Sequence, residues 1–197
     1  MGVVPFVGLT GGIGAGKSTA LAALQRLGAA TLSSDAVVHE LYGSAEVRDA
    51  VVGRFGGDVA PAGIVDRAAL AERAFATDAD REWLEQLIWP LVGSRIAGFR
   101  TESARREPRP RAVVVEVPLL FESGSDHGFD ATIAVTADEA LRRRRAAGRG
   151  YRALEERGAR QLSQEEKAAK STYVVVNDGD IEELERKLSS VLELLEG

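Results

Sequence analysis

Short apolar runs alternate along the chain with longer amphipathic stretches. Residues 5–9, Pro-Phe-Val-Gly-Leu, read as a short buried strand in which Pro5 is tolerable only at the first position. Residues 29–33 read as a second strand ending at Ser34-Asp35. Residues 112–117 form a nearly continuous valine run, the pattern of a parallel strand buried on both faces, and 131–136 and 171–176 repeat it. A helix over 17–27 is stopped by Gly28, and further helices are predicted over 138–147, 154–170 and 180–195. Residues 36–56 read as one helix burying Val37, Val38, Leu41, Val47, Val51, Val52 and Phe55. Gly56-Gly57-Asp58 and Pro61-Ala62-Gly63 then mark a loop, two or three helices fill 66–106, and Pro108-Arg109-Pro110 closes the helical stretch.

Strands alternating with helices imply an α/β fold with a parallel sheet and right-handed crossovers. The 36–110 stretch carries helices but no strong strand. It reads as an insertion over the carboxyl edge of the sheet, where ligands of such folds bind. The expected organisation is therefore one domain over 1–197, with a core of 1–35 and 111–197 and a helical insertion over 36–110.

Composition narrows the function more than the fold. The 197 residues are 45% hydrophobic and 28% charged, a globular balance with enough apolar material for a core. The chain has no cysteine, which excludes disulfides, thiolate catalysis and zinc fingers. No apolar run approaches the length of a membrane span, residues 1–9 lack a signal-peptide pattern, and Phe6 stands where a myristoylation motif wants Ser or Thr. A cytoplasmic location is the expectation, with no membrane association and no obligate protein partner evident. The net charge of −5 argues against nucleic acid as a partner. Against that acidic background Arg142 to Arg145, Arg149, Arg152, Arg157 and Arg160 form a basic concentration.

One motif names a ligand. Residues 11–18 read G-G-I-G-A-G-K-S, a full match to the phosphate-cradling pattern G-x-x-x-x-G-K-[ST], set between a predicted strand and a predicted helix. The glycines let the backbone curl so that several N–H groups point inward at phosphate oxygens. Those groups sit at a helix N-terminus, where unpaired donors and the dipole favour an anion. Lys17 would reach the β- and γ-phosphates, and the Ser18 hydroxyl would ligate Mg²⁺.

Such a loop serves kinases, GTPases and motor ATPases alike. Asn177-Asp178-Gly179-Asp180 lacks the lysine of a guanine-reading Asn-Lys-x-Asp sequence, which speaks against a GTPase. A small-molecule kinase needs a group to orient the attacking hydroxyl and cations to neutralise the transferring charge. Asp35, at the end of the second strand, could accept that hydroxyl's proton or hold a magnesium-bound water; equally, it could cap the helix starting at 36. Arg142, Arg145, Arg149 and Arg152 recur at helical spacing and Gly148 and Gly150 supply hinges, which suits a lid over phosphates in the segment 141–165. The competing reading is a solvated basic face paired with Glu139, Glu155 and Glu156. Glu116, ending the valine strand, is a weaker candidate for an acidic magnesium-water ligand. His39 and His127 read as structural or surface residues, since no His/Asp/Glu spacing suggests a protein-only metal site.

Taken together, L-T-G-G-I-G-A-G-K-S-T at 9–19, Asp35, V-D-R-A-A-L-A-E-R-A-F at 65–75, V-P-L-L-F-E-S-G at 117–124, the Arg157…Gln161…Lys167 stretch and Asn177-Asp178-Gly179 resemble the dephospho-coenzyme A kinase family. The resemblance runs along nearly the whole chain. It implies a three-layer P-loop kinase fold with a helical substrate-binding insertion and a lid, and transfer of the γ-phosphoryl of ATP to the ribose 3′-hydroxyl of dephospho-coenzyme A with Mg²⁺. On this resemblance Gly12, Ile13, Gly14, Ala15, Gly16, Lys17, Ser18 and Thr19 surround the ATP phosphates, and Asn177 and Gly179 lie beside its adenine. Asp35 would orient or deprotonate the 3′-hydroxyl, Arg149 and Arg157 would act from the lid, and Leu119 and Leu120 would lie near the acceptor. Two features depart from the family pattern. Trp89-Pro90 stands where His-Pro is common, and the stretch between Leu141 and Gln161 is slightly short. The residues alone leave open a kinase for another small alcohol or a nucleoside monophosphate, and a nucleotide-binding switch without phosphotransfer.

Overall fold

The computed structural model describes residues 3–147 and 161–197. Its elements are β1 (Phe6–Gly11), α1 (Lys17–Arg26), β2 (Ala30–Ser33), α2 (Ser34–Tyr42), α3 (Ala45–Phe55), α4 (Arg67–Ala74), α5 (Asp78–Ala104), β3 (Val113–Glu116), β4 (Ala131–Thr136), α6 (Glu139–Ala147), α7 (Gln164–Lys170), β5 (Tyr173–Val176) and α8 (Ile181–Glu196). The strands form one sheet in the order β2-β3-β1-β4-β5, and every neighbouring pair is parallel.

β1, β3 and β4 are buried on both faces, as their apolar runs predict, and their alternate side chains divide between two helical layers; the expectation fails for 171–176, because β5 is an edge strand and its Val174 and Val176 are exposed. Val7, Leu9, Val114, Ile133, Val135 and Val175 share one core with Ala20, Ala23 and Leu24 of α1 and Leu184, Leu188 and Leu192 of α8. On the other face Phe6 stacks on Phe129 with ring centroids 4.5 Å apart, and Arg100 near the end of α5 lies 4.5 Å over the Phe6 ring. Gly8 makes room there for Leu120: a Cβ at position 8 would stand 3.0 Å from Leu120 Cδ2. This helix–sheet–helix sandwich is the expected three-layer arrangement.

The contacts divide the chain into two compact units, Met1–Ser33 with Phe99–Gly197, and Ser34–Gly98. The expected insertion boundaries of 36 and 110 differ from these, chiefly at the C-terminal side. There the last turns of α5 belong to the sheet unit, because Arg100 covers Phe6 and lies 3.7 Å from Asp130, and Ser103 is buried. The helical unit has its own core of Val47, Val51, Val59, Val65, Leu70, Ala74, Leu84 and Ile88, with Phe55 and Trp83 meeting edge to face.

The single helix expected over 36–56 is two. Residues 43–44 separate α2 from α3, and the Ser44 hydroxyl accepts from the Val47 amide at 3.3 Å while donating to the Leu41 carbonyl at 2.7 Å. Apolar residues at helical spacing continue across this break, but serine at an N-cap closes one helix and opens the next. Asp66, in the D-R-x-x-L sequence, caps α4 by accepting from the amides of Ala68 and Ala69. Of the helix expected over 154–170, residues 154–160 lie outside the described residues, and 161–163 are not helical: Ser163 caps α7, its hydroxyl accepting from the Glu166 amide. Among the described residues no helix is long and apolar enough to cross a membrane.

Candidate functional site

β1 ends at Gly11, one residue further than its apolar pattern suggests, and the chain turns through residues 12–16 into α1. Two positions in this turn admit only glycine. Gly14 has φ +75°, and a Cβ there would lie 2.4 Å from the Arg142 carbonyl oxygen; Gly16 has φ +95°, and its Cβ would lie 2.2 Å from Asn177 Nδ2. Gly16 is the N-cap of α1, so no side chain occupies the helix's first amides, and the first turn carries no acidic residue. An N-terminus of this kind favours an anion. The Lys17 ammonium donates to the carbonyls of Gly11 at 3.0 Å and Gly12 at 3.2 Å, which holds it across the loop. Ser18 and Thr19 are exposed in the first turn of α1, whereas Ala15 is buried and braces the loop from beneath.

The loop is held from two sides. Asn177, buried just after β5, donates its amide to the Ala15 carbonyl at 2.8 Å. Arg145 of α6 donates to the Asn177 carbonyl at 3.1 Å, and Arg142 donates to the Ile13 carbonyl at 3.0 Å. Asp138 starts α6 by accepting from the amides of Ala140 and Leu141, and its own amide donates to Asp178. The competing reading of these arginines as a solvated face therefore fails for Arg142 and Arg145. Arg149 and Arg152 lie outside the described residues, and Arg143, which is not one of that set, pairs with Glu139. Gly12, Ile13, Arg142 and residues 161–164 line a pocket of about 130 Å³. Next in sequence, hydrogen bonds from its own backbone and the Gln164 side chain, with smaller contributions from Ser163 and the Arg142 charge, hold the Glu165 carboxyl below its ordinary pKa.

The remaining predicted residues divide. Glu116 is buried at the end of β3, in register with Leu9 of β1 and Ser33 of β2. Asp35 is exposed and belongs to the helical unit. It lies inside the first turn of α2, so it is not the cap of a helix starting at 36. Leu119 is 41% exposed, but Leu120 is wholly buried against Gly8, so of this pair only Leu119 presents side-chain surface. The Glu183 carboxylate packs over Gly179. Trp89 is exposed, as are both histidines; Arg67 stands 3.2 Å from His39 Nδ1. Arg149 and Arg157 lie outside the described residues.

Sequence reasoning missed Lys167, which is wholly buried yet bonded to the carbonyl of Pro118 at 2.5 Å and to Glu122 at 3.0 Å. It also missed Thr10, which donates to the same carbonyl at 3.3 Å. A lysine within Q-E-E-K-A-A-K gives no periodicity signal for burial; its place in the Arg157…Gln161…Lys167 stretch was the available cue.

The Asn177 brace yields a prediction. Asn177→Ala would leave the buried Ala15 carbonyl without that donor and loosen the loop, at a cost of about 1–3 kcal/mol. The expected result is a lower melting temperature and an ATP KM raised about tenfold, read from thermal melts and initial rates.

A family model described as dephospho-CoA kinase matches residues 5–183. A Deinococcus radiodurans protein named dephospho-CoA kinase is 39% identical over 193 residues, covering 96% of this chain and 92% of its own. The crystal structure of TT1252 from Thermus thermophilus is similar at a TM-score of 0.80 and 32% identity, covering 98% of this chain and all of that one. The dephospho-CoA kinase of Campylobacter jejuni shares the fold at a TM-score of 0.66 and 20% identity over 98% of each chain.

Proposed function

The chain belongs to the dephospho-CoA kinase family, whose members phosphorylate dephospho-CoA with ATP in the last step of coenzyme A biosynthesis, and from that premise we propose how its residues divide the work. The Gly12–Thr19 turn receives the triphosphate on the backbone amides at the start of α1, with Lys17 turning from the Gly11 and Gly12 carbonyls toward the β- and γ-phosphates. Asn177 acts through the loop it braces, and Gly179 lies in the turn beside the adenine. Asp35 orients the ribose 3′-hydroxyl of dephospho-CoA and takes its proton. Leu119 contacts the acceptor, which the helical unit receives, and Arg149 and Arg157 act from the lid segment. The protein works in the cytoplasm.

The residues suit Mg²⁺. Ser18 presents an exposed hydroxyl in the first turn of α1, and the described residues hold no cluster of three or more His, Asp or Glu side chains that would trap a metal without nucleotide. A hard cation that keeps several waters is bound through phosphates and one or two protein oxygens. When present it would neutralise charge on the β- and γ-phosphates. The chain's own part is positioning and electrostatic stabilisation of an in-line transfer, with no covalent intermediate.

One observation carries this reading: the N-terminus of α1 is free of any side-chain cap, roofed by a glycine turn and flanked by Lys17. The test is a comparison of acceptors with Mg-ATP. Dephospho-CoA should exceed simple alcohols and nucleoside monophosphates by at least about 10³ in kcat/KM, since buried polar recognition discriminates on that scale. Equal rates, or ATP binding with no transfer to any acceptor, would overturn the assignment.

A further inference from the structure

Among the described residues Lys167 is the largest wholly buried side chain, and no step of the phosphoryl transfer uses it. Its ammonium meets two groups of the loop after β3: the Pro118 carbonyl at 2.5 Å and Glu122 Oε1 at 3.0 Å. Glu122 Oε1 also accepts from the Leu162 amide at 2.8 Å. The Pro118 carbonyl in turn accepts from the Thr10 hydroxyl, at the next-to-last position of β1 before the phosphate loop. Three segments are thereby joined at one point: β1 leading into the phosphate loop, the 118–122 loop, and the 162–167 segment, whose residues 162–164 line the pocket over Gly12 and Ile13.

This joint is a costly way to fill space. A buried ion pair is no more stabilising than apolar side chains of the same volume. Here Glu122 Oε2 is also buried with no hydrogen-bond partner among the described residues. What the pair supplies is direction. It fixes the Pro118 carbonyl, and with it the exposed Leu119, relative to the strand that carries the phosphate loop.

We infer that Lys167 and Glu122 are positioning residues that set the register between the acceptor-facing loop at Leu119 and the phosphate loop. The inference rests on the reading that Leu119 meets the acceptor. It locates the determinant of acceptor alignment in a buried pair that touches neither substrate. Misplacement by about 1 Å is enough to cost large factors in a positioned transfer.

The test is the double variant Lys167→Met with Glu122→Gln, which keeps the volume and removes both charges together, compared with Leu119→Ser. The double variant should melt within about 4 °C of the wild type. It should hold its ATP KM within about twofold while kcat/KM for dephospho-CoA falls about tenfold or more. Wild-type acceptor kinetics in the double variant would overturn the inference. So would equal losses for ATP and acceptor, which a merely structural role predicts. An unchanged acceptor KM in Leu119→Ser would instead remove the underlying reading of the loop. If the double variant does not fold, Thr10→Val removes the remaining arm of the joint at nearly constant shape. It should raise the acceptor KM about threefold with the ATP KM unchanged, a shift of under about 1 kcal/mol, the usual worth of one neutral hydrogen bond; no change there overturns the inference as well.

Discussion

Lys17→Ala is expected to lower kcat by about 10²–10³ and to raise the ATP KM, with the fold intact. Removing one preorganised donor from a developing negative charge costs that much in other enzymes. The geometry explains why the fold should survive. The ammonium rests on the Gly11 and Gly12 carbonyls at 3.0 and 3.2 Å, on an only partly buried side chain, whereas the loop's shape comes from Gly14, Gly16 and the Asn177 brace. Steady-state kinetics with ATP and acceptor varied separately, together with a thermal melt, check it. Wild-type turnover in this variant would remove the loop from the chemistry.

Asp35→Asn should lower turnover by about 10²-fold or more, the ordinary size of a general-base contribution, while the ATP KM stays within about twofold. The substitution is a sharp test because it separates two roles. Asparagine caps helices as well as aspartate does, so a residue serving only as a cap would tolerate it. Asp35 is in any case inside α2, where its charge contributes about 0.3–1 kcal/mol through the helix dipole. A melting temperature nearly unchanged beside a large loss of kcat is the expected pair of results. Unchanged turnover would reduce Asp35 to a helix-terminal charge.

The sheet was legible because burial on both faces leaves runs such as V-V-V at 113–115 that suit little else. The phosphate loop was legible because its constraints are local: a left-handed turn needs glycine wherever it occurs. What escaped the sequence acts at long range or by interruption. The break between α2 and α3 hides beneath apolar residues whose spacing continues through it, although Gly43-Ser44 carried the turn chemistry. The burial of Leu120 follows from Gly8, more than a hundred residues earlier, and separates two leucines that adjacency alone makes equivalent. The pairing of Lys167 with Glu122 joins a helix to a loop 45 residues away in sequence, a contact no periodicity encodes. Arg142 and Arg145 stood out by charge and spacing, yet their observed partners are backbone carbonyls of the phosphate loop and of Asn177. Arginine donors in such positions can turn to phosphate oxygens, and that exchange is chemistry a static reading of charge cannot supply.

The most direct measurement follows labelled phosphate from [γ-³³P]ATP in the presence of Mg²⁺ and dephospho-CoA, with the position of the label in the product read by selective 3′-dephosphorylation. One label on the ribose 3′-oxygen is expected for each ADP formed. ADP released with free labelled phosphate, or label at any other position, would contradict it.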